Sequence, residues 1–157
     1  MTKYLRIYLN DHLAAATAEV ELVGRIAKQY DDQVGELAKR LRPEIRQERD
    51  TLREVMGTLG ASADRMKVAA SWIGEKVGRL KLNGELRDAS PLSPVVELEG
   101  LSIAVEARRL LWVSLSEVDE IAERLGRERL QHLIGRAEGQ RDEIDVQRRE
   151  AARRALA

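Results

Sequence analysis

The amino-acid sequence predicts an all-α protein built from four long helices and one short helix. Apolar residues recur every three or four positions almost throughout the 157 residues, and this spacing places them on one face of a helix. The strict alternation of apolar and polar residues that would indicate β-strands is absent from the sequence. Short polar or glycine-containing breaks divide the periodic segments. We therefore expect a single helical domain over residues 1–157.

The first two helices are predicted over Lys3 to Gln29 and over about Val34 to Thr58. The polar stretch between them, from Tyr30 to Gln33, has the right length for a turn between antiparallel helices. Pro43 lies inside the second segment, where its missing backbone N–H should kink or interrupt the helix.

A long connection separates the second long helix from the third. Gly57 and Gly60 predict the end of the second helix, and a shorter helical segment from Asp64 to about Leu82 follows it. Residues 83–94 contain Asn-Gly and two prolines, which favour irregular backbone. Because this connection is far longer than an antiparallel turn requires, we expect a crossover that carries the short helix.

The third long helix, from Pro94 to about Ser116, is the most apolar part of the sequence. Apolar residues cover most of its circumference, which is typical of a central helix or of one that packs against a partner chain. We therefore expect a homodimer through this helix, with Trp112 in the contact. A short continuation ends at Gly126, and the last long helix is predicted from about Arg127 to Ala155.

The composition excludes several classes of function. The 27 Lys and Arg residues balance 27 Asp and Glu residues, so a globally basic nucleic-acid-binding protein is not expected. The sequence has no Cys and only two His residues, which excludes disulfides, thiolate ligands and a histidine-rich metal site. No run of about 18 apolar residues predicts a membrane span. Met1-Thr-Lys leads straight into amphipathic sequence, so we expect a cytoplasmic protein.

Several acidic residues lie on faces that should be buried. Glu48 lies between two apolar positions of the second helix, Glu99 lies in the apolar third helix, and Glu138 lies in the last helix. Arg49 follows Glu48 directly, and Arg141 follows Glu138 by one turn. Because a guanidinium group can donate several hydrogen bonds to carboxylates, we expect these five residues to form a buried polar network without a metal ion.

From about Tyr8 to Gln147, the sequence resembles the ferritin-like superfamily, and within it the small bacterial stress-response proteins. The resemblance rests on the order of the helices, the length of the crossover and three local runs of sequence. These runs are Asp64-Arg65-Met66-Lys67-Val68-Ala69-Ala70, Leu86-Arg87-Asp88-Ala89 and Val96-Glu97-Leu98-Glu99. The resemblance implies a cytoplasmic four-helix bundle, often dimeric, whose active members hold a carboxylate-bridged centre of two metal ions.

The ligand pattern of this superfamily is incomplete in the sequence. Its metal site takes one Glu from each of two helices and a Glu-x-x-His pair from each of the other two, and no Glu-x-x-His occurs here. By position, Glu99 and Glu138 match two of the acids, but Arg141 stands where the histidine after Glu138 would be. Arg46 and Arg49 fall where the second helix should offer its acid and its histidine. Arginine at these positions would repel cations.

The leading hypothesis is a ferritin-like bundle that has lost its di-metal centre and has a structural or interaction role, with no assignable reaction and no cofactor. The alternative is an active di-iron or di-manganese protein of iron oxidation or storage in a stress response, with non-standard ligands. The candidate ligands for this alternative are Glu19, Glu48, Glu99, Glu106, Glu138 and His12. A bundle that binds a ligand or a partner through Trp112 is the third possibility.

Overall fold

A computed structural model describes residues 2–62 and 90–157 of the chain. These residues form five helices and no strand, which confirms the all-α prediction for this part of the sequence. The helices are α1 (Lys3–Gln29), α2 (Gln33–Thr58), α3 (Ser93–Ser116), α4 (Asp119–Leu125) and α5 (Arg127–Leu156). The short helix predicted from Asp64 to Leu82, and most of the irregular stretch after it, lie outside the described residues.

The turn between α1 and α2 depends on Asp32 and Gly35. The Asp32 carboxylate accepts hydrogen bonds from the backbone N–H groups of Val34, at 3.0 Å, and Gly35, at 3.4 Å, and so caps α2. A Cβ atom on residue 35 would lie 1.8 Å from the carbonyl oxygen of Tyr30, so only glycine fits this close approach. The tight turn places α1 and α2 antiparallel to each other.

The end of α2 is a Schellman motif. Gly60 adopts a φ of 76°, which lies in the left-handed region that glycine favours. The N–H of Gly60 donates to the carbonyl of Gly57 at 3.1 Å, and the N–H of Ala61 donates to the carbonyl of Met56 at 2.7 Å. These two bonds satisfy carbonyl groups that the helix end would otherwise leave free.

Pro43 lies inside α2 without breaking it. The predicted interruption is therefore wrong. Pro43 is on the exposed side of the helix, where water can hydrate the carbonyl that loses its intrahelical donor.

Helices α1, α2, α5 and α3 surround a common core in this order. The most extensive contacts join α1 to α2 and α3 to α5, and further contacts join α1 to α3 and α2 to α5. Arg25 near the end of α1 pairs with Glu97 near the start of α3, at 3.1 Å. Glu54 near the end of α2 pairs with Arg129 near the start of α5, also at 3.1 Å. Each helix therefore runs antiparallel to its two neighbours.

This arrangement makes α2 and α3 parallel, although they follow each other along the chain. The Ser62 carbonyl, just after α2, accepts a hydrogen bond from Asn10 near the start of α1. The start of α3, in contrast, contacts the end of α1 through Tyr30, whose hydroxyl donates to Glu97 at 2.7 Å. The end of α2 and the start of α3 thus lie at opposite ends of the molecule.

Trp112 is fully buried within the chain. The prediction that Trp112 forms a dimer contact is wrong, because α3 packs against both α1 and α5 and buries its apolar residues on two sides. Within residues 2–62 and 90–157, no helix combines the length and the apolar character that crossing a membrane requires.

Candidate functional site

A layer of polar side chains crosses the middle of the helical core. Each of the four long helices contributes one residue, namely Glu19, Glu48, Arg108 and Gln140. Their exposed fractions are 1%, 0%, 3% and 3%, in that order. The other two buried polar residues of the described chain, Asn10 and Ser93, lie near helix ends instead. We call the four central residues the polar layer.

The polar layer separates two apolar clusters. Along α1, α2 and α3, the residues on one side of the layer belong to one cluster and those on the other side belong to the second. On α5 the clusters meet between Ile134 and Ala137, beside Arg136, and Gln140 follows one turn later. The apolar neighbours on both sides leave these polar side chains no path to solvent along their own helices.

Helical spacing explains why these residues point inward. Glu48 lies three residues after Ile45 and four before Leu52, both of which are buried. Arg108 lies three residues from Val105 and three from Leu111, which are also buried. Residues three and four apart share one face of a helix, so burial of the apolar residues carries the polar residue into the core with them.

Arg108 is the centre of the polar layer. Its Nε and Nη2 atoms donate to Oε2 and Oε1 of Glu19 at 3.2 Å and 2.9 Å. The Nη2 atom also donates to Oε1 of Gln140 at 2.7 Å. This two-pronged contact matches the planar guanidinium to the carboxylate, which is the strongest geometry for such a pair.

Glu48 holds the second carboxylate of the layer against two cations. Its Oε2 atom lies 3.4 Å from Nη1 of Arg108, and its Oε1 atom lies 3.1 Å from Nε of Arg136. Neither oxygen has a hydrogen bond of good geometry among the described residues, and neither does Nη1 of Arg108. Glu48 is therefore stabilised by charge rather than by directed hydrogen bonds, and Arg108 and Arg136 balance the charges of Glu19 and Glu48.

The layer reaches the surface between α2 and α5. Gln140 Nε2 donates to Oε2 of Glu44 at 2.9 Å, and Glu44 is half-buried. Arg136 is about one-quarter exposed, at 26% of its side chain. These two side chains connect the buried charges to solvent on one side of the molecule only.

Burial and pairing act on the charged groups in opposite senses. Burial raises the pKa of Glu19, and the nearby Arg108 guanidinium opposes this rise. Burial by itself would lower the pKa of Arg108, but the carboxylates of Glu19 and Glu48 outweigh burial and hold that pKa above its ordinary value. Arg108 therefore stays charged, and the free energy of Glu19 depends on its contact with Arg108.

The residues of the layer do not fit a di-metal centre. The guanidinium of Arg108 lies between the two buried carboxylates and carries the charge that a cation would supply. Among residues 2–62 and 90–157, no group of three or more potential ligands is arranged to hold a metal ion. His12 packs against Tyr8 with ring centroids 4.5 Å apart, and burial lowers its pKa. His132 is exposed.

The predicted network of five residues is wrong in all but Glu48. Glu99 and Glu138 are 51% and 47% exposed, and they face Arg148 and Arg109 at 3.9 Å and 3.6 Å. Both acids lie one position away from a buried residue, and one position turns a side chain by about 100° around the helix.

The two arginines of the predicted network also lie outside the layer. Arg49 pairs with its neighbour Asp50 at 2.8 Å. Arg141 pairs with Glu106 at 3.0 Å and with Asp142 at 3.4 Å. These contacts lie at the partly exposed surface, where each arginine finds an acid without entering the core.

The six candidate metal ligands are likewise distributed over separate places. Glu19 and Glu48 belong to the polar layer. Glu106 forms ion pairs with Arg109 and Arg141 at the surface, and Glu99, Glu138 and His12 lie elsewhere, as described above. The structure does not bring the six residues together.

Sequence reasoning missed Arg108 and Gln140, together with their neighbours Arg136 and Glu44. The signal for Arg108 is present, because its three-residue spacing from Val105 and Leu111 equals the spacing that singled out Glu48. Considering only acids on apolar faces hid it. No comparable signal exists for Arg136, which is partly exposed beside the buried residue Ala137.

Comparisons of the chain with models of protein families, with curated proteins and with solved structures find no match.

Proposed function

We propose that this protein is a ferritin-like helical bundle that has lost its di-metal centre and has a structural or interaction role. The observation that carries the proposal is the position of Arg108, whose guanidinium binds Glu19 and lies 3.4 Å from Glu48 in the middle of the core. In the superfamily that the sequence resembles, carboxylates from the helices project inward at the core to hold metal ions.

The directions of the helices support this assignment. Helices α2 and α3 are consecutive and parallel, as shown by the contacts at their ends, so the chain between them has to connect opposite ends of the bundle. One long crossover of this kind distinguishes ferritin-like bundles from bundles in which every connection is a short turn. A short helix within residues 59–92 is part of the proposal.

The electrostatics of the layer support a role without metal. Arg108 and Arg136 place two positive charges beside the two buried carboxylates. A divalent cation that entered this layer would meet two guanidinium groups of like charge in a medium of low dielectric, where repulsion is strong. We assign no reaction to the layer, because its carboxylates are already engaged by arginine.

Metal analysis of the purified protein tests the proposal. Protein produced in medium with iron and manganese, and purified without chelator, should contain far less than one metal ion per chain by mass spectrometry. Near-stoichiometric iron or manganese that disappears in Glu19→Ala or Glu48→Ala would overturn the proposal. Glu99→Ala is the matched control, because Glu99 is exposed and lies outside the layer.

A homodimer remains our prediction for the interaction role, and the outer face of α3 is the surface that we propose for it. Ile103 and Leu110 are 40% and 46% exposed and lie seven residues apart, on one face of the helix. Around a two-fold axis that pairs two antiparallel copies of α3, Ile103 of one copy faces Leu110 of the other.

Sedimentation at micromolar concentration tests this surface. The wild-type protein should sediment as a dimer, and Ile103→Glu with Leu110→Glu should sediment as a monomer. Val146→Glu is the control, since Val146 is an exposed apolar residue of α5 on a different face of the molecule. A monomeric wild type would contradict the prediction.

A further inference from the structure

The two apolar clusters are built from interchangeable side chains. Leu, Val, Ile and Ala supply nearly all of their members, and the sequence has no Phe. Uniform aliphatic cores of this kind hold helices together but specify their alignment weakly, because a leucine fits almost as well one turn away. Apolar packing therefore leaves several alignments of the four helices close in free energy.

The polar layer distinguishes these alignments from one another. Each long helix contributes one buried polar residue, and the four residues meet at one level of the core. Sliding α3 by one turn, about 5.4 Å, would move Arg108 away from Glu19 and Glu48 and into an apolar cluster. The guanidinium and both carboxylates would then be buried without partners, which is strongly unfavourable.

Charge is also divided between the helices in a way that favours one pairing. The acids Glu19 and Glu48 belong to α1 and α2, whereas the cations Arg108 and Arg136 belong to α3 and α5. The correct pairing is the one in which every buried charge meets an opposite charge.

We infer that the polar layer specifies the register of the four long helices, as a single buried polar residue specifies the register of a coiled coil. Stability comes from the apolar clusters, and the layer selects one alignment among those that the clusters allow. The inference does not depend on the resemblance to ferritin-like proteins, and it holds whether or not the proposed function is correct.

Cysteine cross-linking across α2 and α5 reads the register directly, because the natural sequence has no cysteine. Arg40→Cys with Glu143→Cys reports the native register, since these two residues form an ion pair between the helices. Arg40→Cys with Gly139→Cys reports a register shifted by one turn, and residue 139 has open space for a side chain. In the otherwise natural protein, only the first pair should cross-link efficiently.

The decisive variant replaces the layer with Glu19→Leu, Glu48→Leu and Arg108→Leu. In this background the shifted pair should cross-link faster by at least about tenfold, because a buried unpaired charge opposes the shift with more free energy than a tenfold preference represents. The matched control replaces Glu106, Arg109 and Arg141 with Leu at the surface of α3 and α5, and it should leave the native preference unchanged.

Two results would overturn the inference. One is a triple layer variant that is helical by circular dichroism and still cross-links only in the native register. The other is a triple layer variant without helical structure, because the layer would then supply stability rather than register. A single sharp set of amide resonances from the layer variant, at the natural chemical shifts away from the substitutions, would agree with the first of these results.

Discussion

Arg108 and Arg109 are adjacent on α3, yet they belong to two different kinds of ion pair. Arg108 binds Glu19 in the buried polar layer, with donor distances of 3.2 Å and 2.9 Å. Arg109 binds Glu106 at the surface, with donor distances of 2.9 Å and 2.8 Å, and Arg141 reaches the same acid. The two contacts have the same chemistry and nearly the same geometry, and they differ in their access to water.

The surroundings reverse the effect of each contact on its carboxylate. At the surface, hydrogen bonds from Arg109 hold the pKa of Glu106 below its ordinary value. In the core, burial raises the pKa of Glu19 even though Arg108 opposes the rise. Water screens the surface pair and would solvate either partner alone, whereas the buried partners depend on each other. The position of a residue around the helix therefore decides whether an ion pair is dispensable.

The largest effect that separates the two regions should come from Arg108→Met. The change leaves Glu19 and Glu48 buried without their central cation, and breaking a buried pair in this way costs about 3–5 kcal/mol of unfolding free energy. Urea denaturation followed by circular dichroism measures the loss. Arg141→Met is the matched surface change and should cost less than about 1 kcal/mol. Equal losses in the two variants would remove the distinction between core and surface.

An intermediate effect, of opposite sign, should follow from removing all three charges of the layer. Glu19→Leu, Glu48→Leu and Arg108→Leu together replace charged groups by apolar ones, which elsewhere is neutral or stabilising by about 1–4 kcal/mol. Arg136 loses its partner but is partly exposed and can extend into solvent. The urea midpoint of the triple variant should equal or exceed that of the natural protein. A large loss would show that the buried charges themselves stabilise the fold.

The smallest effect should come from Glu106→Gln. Because Glu106 has a pKa below its ordinary value in the folded protein, its ion pairs stabilise the protein above that ordinary value, and this contribution is lost as the pH falls through the folded pKa. The contribution is less than about 1 kcal/mol, since the pair is partly exposed and screened by salt. Urea midpoints of both proteins between pH 3 and 7, values set on either side of the ordinary Glu pKa of about 4.3, should converge at the acidic end. A constant difference across this range would contradict the assignment.

Helical periodicity was sufficient to predict the long helices. The segment predicted from Lys3 to Gln29 coincides with α1, and the break predicted at Gly126 separates α4 from α5. Pro43 was misjudged because a proline on the exposed side of a helix loses one hydrogen bond that water can replace. Apolar stripes and turn residues are local features, so they can be recognised without knowledge of the tertiary contacts.

The polar layer was harder to predict because it depends on which faces meet. Glu48 was identified since its helix has distinct apolar and polar faces, and Glu48 lies on the apolar one. Glu99 was misplaced because α3 is apolar nearly all round, so periodicity alone does not reveal its inner face. The partner of Glu48 comes from a helix 60 residues further along the chain, at Arg108, and local spacing carries no information about that meeting.

The division of buried charge between the two helical hairpins has a consequence for folding kinetics. Helices α1 and α2 form one hairpin, and α3, α4 and α5 form the other, so their internal contacts are local and should form early. Glu19 and Glu48 lose water only when they meet Arg108 on the second hairpin. Docking of the hairpins is therefore the step at which the charges are desolvated, and Arg108→Met should accelerate unfolding far more than it slows refolding in stopped-flow measurements. An equal effect on both rates would place the meeting of these charges before the main barrier, so the native state owes its lifetime to a contact made late.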